Sequence, residues 1–233
     1  MDKKKALYVD IDGTLARFHD ADKMFIEMMW TPGFYRELRP FENLVEAVKL
    51  FMERNPDVEI YVLSAVLETD PPFIEGEKNE WLDAFLPEIN RDHRIFTRAG
   101  DDKSQYLQME GRECFLLDDY NKNLYEFEAA GGVGIKFHND VNHRGLGEYG
   151  GSKGNLWGGA IVHYYNNAET MFIDLEDIVM GKYLDGRGQE ERFADVVPER
   201  DAEVVDMVIA KAVARAKANE DLEGAEFYSV EVI

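Results

Sequence analysis

"YVDIDGTLARF", residues 8–18, decides the fold. The residues leading into it, Ala6 to Val9, are apolar, aromatic or β-branched. That composition predicts a short strand, and Asp-Gly-Thr predicts a tight turn at its end. Two carboxylates, Asp10 and Asp12, therefore stand at the mouth of an apolar strand. Like charges held side by side out of water are unfavourable unless a cation or a proton sits with them.

Working outward, the same grammar repeats. "PFENLVEAVKLFMERN" (40–55) places Leu44, Val48 and Phe51 on one helical face. "VEIYVLSAV" (58–66) reads as a buried strand that reaches Ser64, and "GEKNEWLDAFLPEI" (76–89) as a helix. "HRIFTR" (93–98) is a strand, and "DDKSQYLQME" (101–110) starts a helix with acids at its N-terminus, as the helix dipole favours. "ECFLLDDY" (113–120), "NKNLYEFEAAGG" (121–132) and "VGIKF" (133–137) complete a β-α-β-α-β-α-β alternation. This predicts an α/β fold, a Rossmann-like, doubly wound parallel sheet with helices on both faces. Ligands bind such sheets at the carboxyl ends of the strands. Asp10, Asp12, Ser64, Asp118 and Asp119 all gather at that edge.

Residues 17–38 mix aromatics and Met at helical spacing and are broken by Pro32-Gly33, which predicts two short helices. The Gly-rich run 139–159 is long for a loop in a compact domain. The expected organisation is a core over 1–165, with an insertion at about 16–40, and a helical, acidic extension over 166–233. The apolar stripe of the last helical run (Val204, Met207, Val208, Val213) suits a partner helix or a second copy of the chain, as in a homodimer.

The chain has 233 residues, 45% of them hydrophobic, enough for a real core. Its net charge is −21, from 47 acidic against 26 basic residues, which argues against a nucleic-acid polymer or an anionic membrane as partner. A small phosphorylated substrate remains compatible if the site is locally positive. The single cysteine, Cys114, allows no intrachain disulfide and reads as a small buried apolar residue. No apolar run approaches the ~18–20 residues of a membrane-spanning helix, and the expectation is a soluble, cytoplasmic protein.

The strand-end groups form a chemical set. A carboxylate attacks phosphorus well when a metal screens the charge. Asp10 is placed to attack in line. Asp12, two residues on, is placed to protonate the leaving oxygen and later to deprotonate water. Asp118 or Asp119 adds a further carboxylate, completing an oxygen-rich Mg²⁺ site with Asp10 and the Asp12 carbonyl. Ser64 can hydrogen-bond a phosphoryl oxygen, and Lys103 can neutralise the transferring group.

In this order the residues resemble the haloacid dehalogenase-like superfamily of hydrolases, with "DIDGT", Ser64, Lys103 and "LLDDY" as its four motifs. Within it the chain is similar to the cytosolic type C 5′(3′)-deoxyribonucleotidases through "LRPFENLVEAVKLF", "IYVLSAV", "EKNEWLDAFLP", "RIFTR", "FLLDDYNKNL" and "GIKFHNDVNHRG" over about residues 5–165. The resemblance implies a small helical cap inserted after the first strand, Mg²⁺ as cofactor, and hydrolysis of nucleoside 5′-monophosphates. It further implies that cap aromatics (Phe18, Phe25, Trp30 and Phe34) stack on the base, and that Lys78 lies near the phosphate. The chain departs from the pattern in a longer loop after Ser64, in "DDYNKN" where animal members carry an arginine, and from residue 166 on. These departures bear on substrate preference rather than on reaction type.

Plainer readings stand beside each assignment. Ser64 can be a simple helix cap, Lys78 and Lys103 solvated lysines, and the cap aromatics and Trp157 ordinary packing. His138 and His143 have no third ligand at metal spacing and read as loop histidines. The competing functions are a phosphatase for another small phosphoester, such as a sugar phosphate or phosphorylated cofactor, and a non-catalytic binding module. All four motif positions being chemically intact argues against the last.

Overall fold

A computed structural model describes residues 4–18, 26–107, 111–139 and 157–181. Six strands form one parallel sheet: β1 (Lys4–Val9), β2 (Glu59–Val66), β3 (Arg94–Arg98), β4 (Arg112–Asp118), β5 (Val133–His138) and β6 (Ala160–His163), in the order β3-β2-β1-β4-β5-β6. The helices among the described residues are α1 (Glu42–Arg54), α2 (Ile74–Phe85), α3 (Asn121–Ala129) and α4 (Ala168–Val179).

Side chains alternate across a strand, so a parallel sheet must be covered on both faces. Leu7, Val9, Val62, Leu117 and Phe137 pack with α1, α2 and α4. Tyr8, Leu63, Leu116 and Cys114 face the other way, against Leu124 and Phe127 of α3. Each such side chain contributes roughly 1.5–3 kcal/mol when fully buried. The doubly wound reading and the buried Cys114 therefore hold. Trp157 packs with the α3-side cluster, its indole N–H donating to the Ala160 carbonyl at 2.9 Å.

The strand order reverses direction at β1, which lies between β2 and β4. A crevice opens at such a point because the connections leave to opposite sides. Register aligns Val9 with Leu117, and the Asp10 N–H donates to the Leu117 carbonyl at 3.0 Å. The acids after β1 and at the end of β4 are side by side for that reason.

Four local expectations change. Between β1 and α1, the described residues form a short 3₁₀ helix, Ile26–Trp30, followed by turns rather than a second helix. Pro32 has no N–H to donate, and Gly33 takes a left-handed φ of +98°. The helix expected from residue 101 is a single 3₁₀ turn, Lys103–Tyr106, capped where the Asp102 side chain accepts from the Ser104 N–H at 2.8 Å. Strand β6 was hidden in the sequence, since four residues behind a glycine run carry little periodicity. Helix α4, assigned from sequence to the extension, packs instead into the core through Met171, Phe172, Leu175 and Val179, against α1. The extension from residue 182 lies outside the described residues, as does its apolar stripe. No helix among the described residues is long and apolar enough to cross a membrane.

Candidate active site

The turn after β1 brings the first two acids to the crevice. Gly13 has φ +80°, and a Cβ there would run into the Asp119 carboxylate. The glycine is required twice over, for its backbone conformation and for the close approach of the β4 loop. Asn139, just past β5, ties the two loops together. Its amide donates to the Gly13 carbonyl at 2.6 Å and to Asp119 Oδ2 at 3.2 Å.

Three carboxylates meet here. One oxygen each from Asp10, Asp118 and Asp119 lie within 4.8 Å of one another, and all three residues are buried. Lys103 is inserted among them, 2.9 Å from Asp10 Oδ1 and 2.6 Å from Asp118 Oδ2. Asp118 is further fixed by the Tyr120 N–H at 2.7 Å and the Asn123 amide at 2.9 Å. Behind Asp119, the buried ammonium of Lys136 donates to the Asp119 carbonyl and to Asn121 Oδ1.

The electrostatics follow from burial. Desolvation pushes the Asp10 carboxyl up to about 6; Lys103 opposes the rise, while Asp118 and Asp12 add to it. Asp119 is pushed well above the usual carboxylate range by desolvation and by Asp118 and Asp10. Burial by itself would lower Lys103, but Asp10 and Asp118 outweigh it and hold the ammonium above its ordinary range. Desolvation draws Lys136 down against the pull of Asp119. Buried carboxylates with raised affinity for a proton are also carboxylates that a hard cation would relieve. The donors are all oxygen, which suits Mg²⁺.

Asp12 stands apart from this trio. Its Oδ2 pairs with the buried Lys78 ammonium at 2.6 Å, and Lys78 also donates to Ser64 Oγ at 3.0 Å and to the Ala65 carbonyl. Asp12 Oδ1 is buried without a hydrogen-bond partner. A buried polar oxygen left unpaired is unfavourable and marks a place where another group belongs. The Thr14 hydroxyl, in the same turn, is buried in the same condition.

Of the expected base-stacking residues, the structure brings Phe18 and Phe34 together at 5.7 Å between ring centroids. Tyr35 joins them, 6.0 Å from Phe18 and 5.1 Å from Phe34, and lies beneath the Lys78 ammonium, 5.1 Å from its ring. Trp30 is 47% exposed on the 3₁₀ helix. Phe25 and His143 lie outside the described residues. His138 meets His163 across β5 and β6, Nδ1 to Nδ1 at 3.2 Å.

Sequence reasoning missed Tyr35, Lys136 and Asn139. A lysine between Ile135 and Phe137 in a predicted strand was a usable signal, since lysine is rarely buried unless paired. Tyr35 was masked by the equally aromatic Phe34, and Asn139 by its place at the start of a long loop.

The family described as "5′ nucleotidase, deoxy (Pyrimidine), cytosolic type C protein" matches residues 14–151 of this chain. The chain belongs to this haloacid dehalogenase-like family. The family's description names a 5′ nucleotidase; Ser64, Lys78, Lys103, Asp118 and Asp119 lie within the matched stretch, and Asp10 and Asp12 stand just before it. Proteins of Staphylococcus aureus strains Mu50 / ATCC 700699 and MRSA252, each named "Putative 5′(3′)-deoxyribonucleotidase", are 30% identical over 87 residues. That stretch is 37% of this chain and 46% of each relative, so the chain spans about half the length of the curated relatives it matches. Among solved structures, the "S. aureus MnaA-UDP co-structure" is similar at a TM-score of 0.38 and 13% identity, over 76% of this chain and 37% of that one. A likeness that low carries no argument.

Proposed function

We propose that this chain is a Mg²⁺-dependent phosphomonoesterase that hydrolyses (deoxy)nucleoside 5′-monophosphates through an aspartyl-phosphate. The observation that carries the reading is the buried Asp10–Asp118–Asp119 cluster with Lys103 inside it, at the carboxyl ends of β1 and β4. Asp10, Asp118 and Asp119 would hold the cation, together with the Asp12 carbonyl; bound there, Mg²⁺ supplies charge neutralisation at the phosphoryl oxygens.

The residues divide the chemistry as follows. An Asp10 carboxylate oxygen attacks phosphorus, forming the Oδ–P bond while the bond from phosphorus to the 5′ oxygen breaks. With its carboxyl drawn up only to about 6, Asp10 is mostly ionised at neutral pH and able to attack. Asp12 gives a proton to the departing 5′ oxygen. It then takes a proton from water as that water attacks phosphorus, and phosphate leaves with Asp10 restored. Asp12 Oδ1, buried and unpaired, is the atom available for the transfer, and Lys78 holds the other oxygen. Lys103, Lys78 and Ser64 are the phosphate-binding groups. Phe18, Phe34 and Tyr35 offer a surface for the base, with Phe25 and Trp30 as the further cap aromatics.

The test is phosphate release from a panel of deoxynucleoside and nucleoside 5′-monophosphates, sugar phosphates and an aryl phosphate, with Mg²⁺ and with chelator. Metal-dependent turnover strongest on a deoxynucleotide, abolished by Asp10→Asn, is the expected result. Turnover on sugar phosphates alone keeps the mechanism and overturns the substrate. No turnover by the folded, Mg²⁺-loaded protein overturns both.

A further inference from the structure

The chemistry above has no use for Glu77, yet Glu77 is 6% exposed on α2. A buried carboxylate is tolerated only where hydrogen bonds replace its water. Both oxygens of Glu77 are occupied by backbone N–H groups of the cap. Gly33 donates to Oε1, and Tyr35 and Arg36 donate to Oε2 at 3.1 and 3.5 Å. The left-handed φ of +98° at Gly33 helps turn these amides toward one point, as in an anion-binding nest. One helical turn beyond, the Trp81 indole N–H donates to the Leu38 carbonyl at 2.8 Å, holding the far end of the same segment.

The neighbour of Glu77 in the chain is Lys78, which pairs with Asp12 and Ser64. Two consecutive residues of one rigid helix thus grip the two halves of the site. Glu77 holds the backbone that carries Phe34 and Tyr35; Lys78 holds the acid/base and the phosphate-side serine. Helix α2 thus connects the aromatic segment to Asp12 through these two side chains.

We propose that Glu77 is a positioning residue that sets substrate specificity: its carboxylate fixes the Phe34–Tyr35 segment at the spacing from Asp12 that a planar base attached to a phosphate requires. This rests on the nucleotidase reading above. A substrate with a base gains from that spacing, while a small phosphoester that never reaches the aromatics does not. Loss of the Glu77 charge therefore changes selectivity rather than chemistry.

The experiment compares the full chain with Glu77→Gln, which keeps the volume but presents an N–H₂ where an oxygen accepted. Steady-state constants are measured on a deoxynucleoside 5′-monophosphate and on acetyl phosphate, which has no base. Backbone amide exchange is followed over residues 31–38. The expected result is a selectivity ratio, nucleotide over acetyl phosphate in kcat/KM, that falls about tenfold and mainly through KM, as loss of one charged hydrogen bond predicts. Exchange at residues 33–36 rises while β1 and β4 stay protected. Equal loss on both substrates, or an unchanged ratio, overturns the specificity role. Unchanged exchange at residues 33–36 overturns the positioning. If the parent chain turns over acetyl phosphate but no nucleotide, the nucleotidase reading fails and the specificity role with it, while the exchange result still decides the positioning.

Discussion

Asp10→Asn should stabilise the metal-free protein while abolishing its turnover. Burial raises the Asp10 carboxyl from 3.8 to about 6, so the folded state binds a proton more tightly than the unfolded chain. The sign follows from linkage: above about pH 6 the ionised form destabilises the fold, and the penalty fades as pH falls through the interval from about 6 to 3.8. Two units of raised pKa at about 1.4 kcal/mol each give ~3 kcal/mol at about pH 8 and ~1 kcal/mol at about pH 4.5. Asparagine stands in for the neutral acid and its carbonyl still accepts from Lys103. The variant should therefore gain up to ~3 kcal/mol at about pH 8, with the gain shrinking toward acid. The assay is urea unfolding followed by tryptophan fluorescence, in chelator, at several pH values. Adding Mg²⁺ should stabilise the parent more than the variant, because the cation replaces the missing proton. A variant less stable than the parent at about pH 8, or a gain that does not vary with pH, would refute the reasoning.

Lys103→Met strands two buried carboxylates and should cost roughly 3–5 kcal/mol in chelator, less in Mg²⁺, by the same unfolding assay. Asp12→Asn should lower kcat by roughly 10²–10⁴-fold on a nucleotide and by less on an aryl phosphate with a good leaving group, because only the poor leaving group needs its proton. Gly13→Ala, forced to hold φ +80° with a methyl against Asp119, should lose metal-dependent turnover and at least ~1 kcal/mol of stability, read from phosphate release and urea midpoint. His163 moves the opposite way to Asp10. Burial and His138 lower it from 6.5 to about 4, so stability from this group is present above about pH 6.5 and is lost as pH falls toward 4. In His163→Gln, unfolding free energy should vary less with pH across that window.

The sequence by itself determined most of the alternation of strands and helices and nominated the groups proposed to react. Both are local properties: side-chain period sets the element, and carboxylates with a glycine at the end of an apolar strand have few structural uses. It even placed Ser64, Lys103 and Asp118-Asp119 at strand ends and turns where a doubly wound sheet collects its ligands. Only the tertiary structure decided which groups pair. Asp10 and Asp118 are more than a hundred residues apart, and the β1–β4 register makes them neighbours. Asp12, two residues further along the turn, lies outside the trio and pairs with Lys78 from α2. The second helix expected over 17–38 gives way to turns after Pro32-Gly33, where Glu77, from another element, takes three backbone amides. Helix α4 was placed in the extension because its apolar stripe carries no address; packing against α1 supplied it. Periodicity is written in the neighbours along a chain, whereas pairing depends on where the sheet returns the chain in space.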